Sequence, residues 1–493
     1  MKKILIKKWL LTVLVLFGMV GFGYGSSITV GTLDDVDIRL SEHVVWDVDT
    51  VNVMTHVVFM PGNSSLTIQK GTHVIFHADT ARLNIMSTFS ALGTKVDSIW
   101  FIPSDTSVGW GGIEVLEVSN ISFCHFGFSV KGALSILSDS VSVRNTIFIK
   151  NKVNGWGGGV KIGGGKGVSI LKCIFTNNQA ESGGAIQIST VKDLVVEQCH
   201  FMENYASKKG GALFFNTSNS AKVGKFINCT ITNNTCDGSG GGMSLEDAEP
   251  TFINCVIADN WSGNNGGGVH TLEGARPKLI NCTVAFNYAD NSGGGLYTDA
   301  SGADIINCLF AKNKSKADGN HLFDRNGMDV NHKIEFSAIG NGYLLADTAA
   351  RDLRQDKESN TINAGKEDTT GLGLPTVDLD GNPRIVDGRV DQGAYEHQEV
   401  TELVKDWQSP RTWWAEREDD VITFTVLGEY KYGLQLYDVT GTLTGSLSPV
   451  FKDGETMYRW CLSLKKQSVT PGMYIVRLKN QSTSLIRGTV LVR

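Results

Sequence analysis

Three ionisable side chains that follow glycine-rich triplets are the residues whose types could support catalysis. Glu246 and Asp299 each stand four residues after such a triplet, and His270 stands two residues after another. A polysaccharide lyase needs a base, such as histidine, and a carboxylate-bound Ca²⁺ that neutralises the uronate. A glycoside hydrolase instead needs two carboxyl groups about 5 to 9.5 Å apart. We therefore take Glu246, His270 and Asp299 as the candidate catalytic residues.

Side chains at neighbouring positions could bind a sugar polymer. Phe214 and Tyr297 occupy the position of His270 in other copies of the pattern, and their rings could stack on sugar rings. Gln187, at the same position, and Glu273 could bond to hydroxyl groups. A solvated strand face of mixed polarity, without any ligand, remains the alternative interpretation. No cysteine or histidine spacing predicts a metal site, and we expect no cofactor unless a lyase holds Ca²⁺.

These candidates belong to a repeat of about 26 residues between 146 and 313. Each copy contains a block of six residues, such as residues 173–178. The third residue of the block is apolar and the sixth is asparagine. The first residue is cysteine in six copies, at intervals of 26, 30, 26, 27 and 26 residues: Cys173, Cys199, Cys229, Cys255, Cys282 and Cys308. Residues 146–151 form an earlier copy that lacks the cysteine.

The repeat predicts a stacked β-structure. A triplet of small residues, mostly glycine, keeps the same period, and a short alternating segment follows each triplet. Period-2 alternation indicates short strands joined by tight turns. One such unit cannot bury its own apolar face and must stack on its neighbours. The recurring asparagine fits a turn, because asparagine tolerates the left-handed region and its amide can bond to the next copy. We therefore expect a parallel β-helix, with about 11 rungs between 44 and 340.

The ends of the chain predict export. Four lysines within the first eight residues precede a short apolar run and the small residues Gly23 and Gly25, a pattern typical of a signal peptide over 1–25. The run is shorter than the roughly 20 residues that span a bilayer. We expect a secreted or outer-surface chain without a transmembrane segment. Its units would be the β-helix (26–340), a closing segment (341–400) and a C-terminal domain (401–493).

Several segments resemble known families. Phe-x-x-Asn, as in residues 175–178, paired with Gly-Gly-Ala, as in residues 183–185, resembles the repeats of chlamydial polymorphic outer-membrane proteins, which are surface adhesins, and of pectate-lyase-like proteins. This implies an all-β, right-handed, single-stranded parallel β-helix. Residues 371–396 resemble the choice-of-anchor Q segment that closes bacterial β-helices. Residues 434–441, 471–478 and 488–493 resemble a type IX secretion C-terminal sorting domain of type A, which implies a small antiparallel β-sandwich and the type IX export machinery as a partner.

The cysteines and an acidic turn each have a structural and a functional interpretation. Nine cysteines in an exported chain could form disulfides, but in-register stacking points their Cβ vectors the same way, which suits a disulfide poorly. We expect a ladder of buried thiols, with a Cys229–Cys236 bridge as the weaker alternative. Residues 378–382, Asp-Leu-Asp-Gly-Asn, could hold Ca²⁺. The twelfth position from Asp378 is Arg389 rather than Glu, so a tight turn is favoured.

Composition narrows the class of function. A net charge of −6 with 19% charged residues argues against a nucleic-acid partner. The first hypothesis is a secreted or cell-surface protein, adhesin-like or structural, that presents an elongated face to glycans or cell surfaces. The alternative is a polysaccharide lyase or glycoside hydrolase that acts on uronic-acid-containing polysaccharide.

Overall fold

The computed structural model describes residues 26–397, apart from 36, 222–223, 328–331 and 387, and eight strands between 412 and 492. The candidate signal peptide, residues 1–25, lies outside the described residues. The chain divides into two compact units, Met1–Gln398 and Glu399–Arg493. Within the described residues, no helix has the length and hydropathy to cross a membrane.

The first unit is the predicted all-β structure, a parallel β-solenoid of about 12 turns. Four parallel sheets, which we call I to IV, run along it, and the chain visits them in the order I, IV, II and III where all four are present. The solenoid begins at Ser27 rather than near residue 44, because the irregular N-terminal strands already form complete turns. It therefore has slightly more turns than the repeat predicted.

The strands of the solenoid are short, mostly of three to five residues. Sheet I has 13 strands: Ser27–Val30, Thr50–Val53, His73–Phe76, Ile99–Pro103, Cys124–Gly127, Ile147–Ile149, Ile174–Thr176, His200–Met202, Thr230–Thr232, Val256–Ala258, Thr283–Ala285, Leu309–Ala311 and Ala338–Ile339. Sheet II has 12 strands: Asp37–Leu40, His56–Phe59, Arg82–Ile85, Ile113–Val115, Leu134–Ile136, Val160–Ile162, Ile186–Ile188, Leu213–Ala221, Met243–Ala248, Val269–Leu272, Leu296–Asp299 and Leu322–Asp324. Sheet III has 12 strands: His43–Trp46, Ser65–Ile68, Thr88–Leu92, Ser119–Ser122, Val141–Arg144, Ser169–Leu171, Leu194–Glu197, Gly224–Ile227, Thr251–Ile253, Lys278–Ile280, Ala303–Ile306 and His332–Glu335. Sheet IV has six strands: Gln179–Ser182, Tyr205–Lys209, Thr235–Cys236, Trp261–Ser262, Tyr288–Ala289 and Lys314–Ser315.

In-register pairing places equivalent residues of successive turns in columns. Phe148 lies over Phe175 with ring centroids 4.8 Å apart and planes 4° from parallel. Phe101, Phe126 and Phe201 extend this buried stack in both directions. The alternation of buried and partly exposed residues along each strand assigns one set of side chains to a single continuous core.

The cysteines form the expected ladder of unpaired thiols. Eight cysteines, Cys124 to Cys308, are free and buried, and the ninth, Cys461, belongs to a strand of the second unit whose side chains the structure does not describe. Each ladder thiol donates to a nearby carbonyl, as Cys173 Sγ does to the oxygen of Leu171 at 3.3 Å. Cys124 also stands in this column, next to Thr146, although it precedes the six cysteines of the repeat. Cys236 belongs to sheet IV and has no bridge to Cys229.

Residues 341–397 fold back over the outside of the last turns. This segment contains one antiparallel pair, Leu345–Asp347 with Asp352–Gln355. The backbone N–H of Ala394 donates to Thr283 Oγ1 at 2.9 Å, and Leu372 packs on Ile253, Ile280 and Ile306 of sheet III. The segment therefore covers part of the outer faces of sheets I and III at this end of the solenoid, including the column of Ile253, Ile280 and Ile306.

The second unit contains two antiparallel sheets of four strands each. In sheet order, one contains Thr412–Glu418, Val421–Leu427, Met457–Ser463 and Phe451–Asp453. The other contains Leu443–Leu447, Gly433–Asp438, Gly472–Lys479 and Ser484–Val492.

Candidate functional site

The outer face of sheet II carries the residues that the sequence singled out, but it is not an open face. Gln187, Phe214, His270 and Tyr297 form one column and point away from the core. Gln187 is fully buried, and Phe214, His270 and Tyr297 are only 3%, 7% and 6% exposed. The expectation of a solvated column is therefore corrected: these side chains line a narrow corner beside sheet IV.

The glycine turns between sheets IV and II enclose this corner. Gly266 has a φ of +68°, and a Cβ added to it would stand 2.8 Å from the Cβ of His270. Likewise, a Cβ added to Gly293 would stand 2.6 Å from the Cβ of Tyr297. The backbone of each turn thus lies against the side chain four residues later, and glycine is required because any Cβ would fill that space.

Aromatic rings in this column stack on one another. The rings of His270 and Tyr297 lie 5.4 Å apart at 20°, and Tyr297 stacks on Phe323 at the same distance and 13°. Their faces are directed along the solenoid axis towards neighbouring turns. Tyr297 consequently has little ring surface to offer a sugar in this arrangement.

Glu246 and Asp299 occupy a second outward column but are not brought together. Leu272 lies between them in the register, which places their strands about 10 Å apart. Glu246 forms an ion pair with Lys209 of sheet IV and accepts a hydrogen bond from Asn216 Nδ2 at 3.3 Å. Asp299 instead pairs with Arg325 at 2.8 Å. Each carboxylate thus has its own cationic partner.

The imidazole of His270 is held in its neutral form. Burial, followed by the charge of Lys209, lowers the pKa of His270 to about 4. Nδ1 lies 3.2 Å from Ser244 Oγ, and Ser244 is fully buried. A neutral imidazole can accept a proton, but in this corner its contact is the serine rather than a surface open to polymer.

Glu273 stands apart from both columns. It follows the strand Val269–Leu272 on an exposed turn, with a φ of +58°. The structure therefore groups it with the connection between sheets II and III, not with Phe214 or Tyr297.

A groove of about 720 Å³, which was not among the sites predicted from the sequence, lies on the outer face of sheet III. This volume is within the range of ligand sites. Charged, hydroxyl and apolar side chains line it: Asp193, Leu194, Val195, Gly224, Lys225, Glu249, Thr251, Arg276, Lys278 and Asp304. In the adjoining sheet II, the six residues from Asn216 to Ala221 lie opposite the three residues from Glu246 to Ala248.

Lysine recurs in the main outward column of this groove. In register order the column contains Val195, Lys225, Thr251, Lys278, Asp304 and Lys333, so lysine occupies every second turn. At the strand spacing of parallel sheets, successive lysines are about 10 Å apart along the axis. The signal was present in the sequence: Lys225 and Lys278 each stand four residues before a ladder cysteine.

Asp304 is already occupied by another cation of the groove. Arg276 donates to Asp304 Oδ1 from Nε at 3.0 Å and from Nη2 at 2.8 Å. Among the described residues, neither Lys225 nor Lys278 has an ion-pair partner within 4.0 Å. Their charges are available to a ligand in the groove.

The Asp378 turn uses its carboxylate internally. Oδ1 accepts the backbone N–H of Asp380 at 2.9 Å and of Asn382 at 2.8 Å, and Gly381 has a φ of +85°. These bonds are those of a tight turn closed by an aspartate, as the sequence favoured. The described residues contain no group of three or more His, Cys, Asp or Glu that could hold a metal ion.

Comparison with known proteins gives a family and two partial structural likenesses. The family model "Right handed beta helix region" matches residues 103–238 and 216–355, which together span about half of the chain. No curated protein sequence matches significantly. Pectate lyase Pel9A is 12% identical over 67% of this chain and 89% of its own, with a TM-score of 0.37. Tailspike protein gp49 from Acinetobacter baumannii bacteriophage Fri1, a capsular polysaccharide depolymerase, is 9% identical over 93% of this chain and 80% of its own, with a TM-score of 0.28.

Proposed function

This chain belongs to the right-handed β-helix family, and we propose that it is a surface or secreted binding protein whose sheet III groove holds an acidic polysaccharide. The observation that carries the proposal is the lysine column of the groove, with Lys225 and Lys278 two turns apart and without ion-pair partners among the described residues. The in-register stack fixes their spacing, so the groove is matched to a linear ligand whose acidic groups recur about every 10 Å.

The other groove residues suit a sugar polymer rather than a small anion. Thr251 stands between the two lysines and offers a hydroxyl group, while Glu249 offers a carboxylate acceptor for sugar hydroxyls. Val195 continues the column with an apolar side chain. A lysine ammonium is a compact point charge on a flexible stem, so it can follow a carboxylate or sulfate on a flexible polymer.

The test is binding of the full chain to defined polymers. Polygalacturonate and alginate would be compared with a neutral glucan and with double-stranded DNA, which is a polyanion without acidic sugars. We expect an acidic polysaccharide to bind, and Lys225→Ala/Lys278→Ala to weaken that binding by about tenfold or more and to reduce its salt dependence. Lys95→Ala/Lys131→Ala, which removes two exposed lysines elsewhere, is the charge-matched control.

Three results would overturn the proposal. These are no binding to any acidic polysaccharide, equal binding of DNA, and unchanged affinity in the Lys225/Lys278 variant. Each measurement includes a melting curve, so that lost binding is not confused with lost fold.

Cleavage of the bound polymer remains the second candidate function. The observation that favours it is the position of His270 in the outward column of sheet II, where its neutral imidazole could accept a proton from a polymer admitted to the corner. Release of oligosaccharides from polygalacturonate or alginate, with or without Ca²⁺, and its loss in His270→Ala, would establish a lyase or hydrolase. Release that persists in His270→Ala, Glu246→Gln and Asp299→Asn would exclude these three residues as the catalytic group.

Export to the cell surface is part of the proposal. Its support is the signal-peptide pattern of 1–25, the choice-of-anchor Q resemblance of 371–396 and the sorting-domain resemblance within 401–493. Type IX machinery would then deliver the β-helix. N-terminal sequencing of the secreted protein should begin at Ser26, and deletion of 401–493 should retain the chain inside the cell envelope. Secretion that does not require 401–493 would contradict this route.

A further inference from the structure

Sheet IV presents an aromatic surface that neither the sheet II corner nor the sheet III groove includes. In register order its outward column contains Gln179, Tyr205, Thr235, Trp261, Tyr288 and Lys314. Tyr205, Trp261 and Tyr288 are all partly exposed. The inward positions of the same strands are small and buried, as Ala206 and Ala289 show.

Trp261 is oriented differently from the stacked aromatic residues of the solenoid. Its Cη2 atom lies 3.2 Å from the point where a Cβ on Gly263 would stand. The indole therefore leans along its own strand, over a residue without a side chain. Among the described residues no other ring stacks on it, in contrast to Tyr297, which has ring neighbours on both sides. Trp261 is partly exposed, so part of its indole surface is accessible to a ligand.

Two aspartates lie in register with Gly263, the residue against which the indole packs. Asp237 and Asp290 occupy the equivalent positions of the turns before and after Gly263. Asp237 accepts a hydrogen bond from the Tyr205 hydroxyl, and Asp290 pairs with Lys316 at 2.6 Å. Each retains acceptor capacity, because an ionised carboxylate has about four lone-pair sites.

We propose that Trp261 is the platform of a second binding site, which takes a neutral pyranose ring of an oligosaccharide. The indole face carries the negative part of the ring quadrupole and attracts the C–H face of a sugar. Asp237 and Asp290 accept hydrogen bonds from its hydroxyls, while the charge of Asp237, which has no ion-pair partner among the described residues, opposes an acidic sugar. The site differs from the sheet III groove in position and in the charge of its ligand, so it does not depend on the proposed function.

The experiment titrates the full chain with neutral hexasaccharides of cellulose, mannan, xylan and starch, followed by calorimetry and tryptophan fluorescence. At least one should bind, and Trp261→Ala should weaken binding by about tenfold. Trp156→Ala is the matched control, because Trp156 is 48% exposed and lies outside the platform. Trp261→Phe should bind with intermediate affinity, and Asp290→Asn should weaken binding several-fold without removing the ring.

The outcomes separate this site from the sheet III groove. Trp261→Ala should leave binding of acidic polymers unchanged, and Lys225→Ala/Lys278→Ala should leave binding of the neutral hexasaccharide unchanged. The inference is overturned if no neutral hexasaccharide binds, or if Trp261→Ala binds as the unmodified chain does. Should Trp261→Ala not fold, Trp261→Phe and Asp290→Asn decide, and unchanged affinity in both would overturn it.

Discussion

Asn178 donates a hydrogen bond from its side-chain Nδ2 to Oδ1 of Asn204, one turn further along the solenoid, at 3.0 Å. The same oxygen accepts the backbone N–H of Asn178 at 3.0 Å. Asn178 Nδ2 also donates to the carbonyl of Phe148 in the preceding turn, at 2.9 Å. Both asparagines are buried, so each amide satisfies polar groups that would otherwise be without a partner inside the fold.

Asn204→Ala should destabilise the solenoid more than an ordinary loss of one hydrogen bond. The substitution leaves two donors of Asn178 buried without an acceptor, and each costs roughly 1–3 kcal/mol. We expect the free energy of unfolding to fall by about 3 kcal/mol, measured by urea denaturation. Asn154→Ala, at an exposed position, is the control and should have little effect. Equal losses in the two variants would argue against the ladder as a source of stability.

The Asn ladder shows how far the sequence predicts local structure. The period placed an asparagine in every copy of the repeat between 146 and 313 and implied bonding between turns, and both are confirmed. The left-handed conformation belongs instead to the residue before each ladder asparagine, such as Asn177 (φ +56°) or Glu203 (φ +56°). The side chains at these preceding positions vary and give no signal. Periodicity therefore identifies the residue that makes the ladder, but not the one at which the backbone turns.

Two glycines of one triplet are required for different reasons, one for its backbone conformation and one for the lack of space for a Cβ. Gly210 has a φ of +63°, whereas Gly211 has no left-handed φ, so the backbone conformation requires glycine at the first position of this triplet and not at the middle one. Gly211→Ala should still destabilise the fold strongly, because its Cβ would stand 2.1 Å from the carbonyl oxygen of Gly241. Melting temperatures test this, with Gly342→Ala as the control, since a Cβ there has no neighbour within 4 Å. A melting temperature of Gly211→Ala equal to that of Gly342→Ala would contradict the steric explanation.

The candidate site was harder to predict than the columns that form it. The register of sheet II placed His270 beside Tyr297 as the alternation predicted. The burial of both side chains depends on how closely sheet IV and its glycine turn approach sheet II. Period-2 alternation predicts which face of a strand a residue is on, but not the distance between two sheets. Beside the sheet III groove, Leu372 covers Ile280 from about 90 residues away in the sequence. Only the fold shows which lysines stay uncovered.

His270 should make the stability of the solenoid depend on pH in the acidic range. Burial, followed by the charge of Lys209, lowers the pKa of His270 from 6.5 to about 4. Between pH 4 and 6.5, His270 is protonated in the unfolded chain but not in the folded chain. The stabilising contribution of the neutral His270 is therefore complete above pH 6.5 and is lost as pH falls towards 4. We expect a loss of up to about 3 kcal/mol. His270→Gln should flatten the fall in melting temperature between pH 7 and 4.5. An exposed control, His43→Gln, should leave that fall as it is.

Glu396 should give the docked segment 341–397 the opposite pH dependence. Glu396 Oε2 accepts the backbone N–H of Asp391 at 3.1 Å and lies 3.8 Å from Nη1 of Arg384, which is 2% exposed. Burial, and then the nearby charge of Asp391, raises the pKa of Glu396 to about 8. The folded chain therefore binds the extra proton, and the stabilising contribution is complete below about pH 4.5 and is lost as pH rises through 8.

This pH dependence can be measured by hydrogen exchange of the backbone in 378–396, corrected for the intrinsic rate at each pH. Protection in the unmodified chain should decrease between pH 6.5 and 9 as ionised Glu396 loosens the contact of Ala394 with Thr283. Glu396→Gln keeps the acceptor for Asp391 but cannot ionise, so its protection should stay constant. Glu367→Gln, whose carboxylate is 78% exposed, is the matched control and should behave as the unmodified chain. Constant protection in the unmodified chain across this range would mean that Arg384 fully compensates the charge and that Glu396 ionises without a cost to docking.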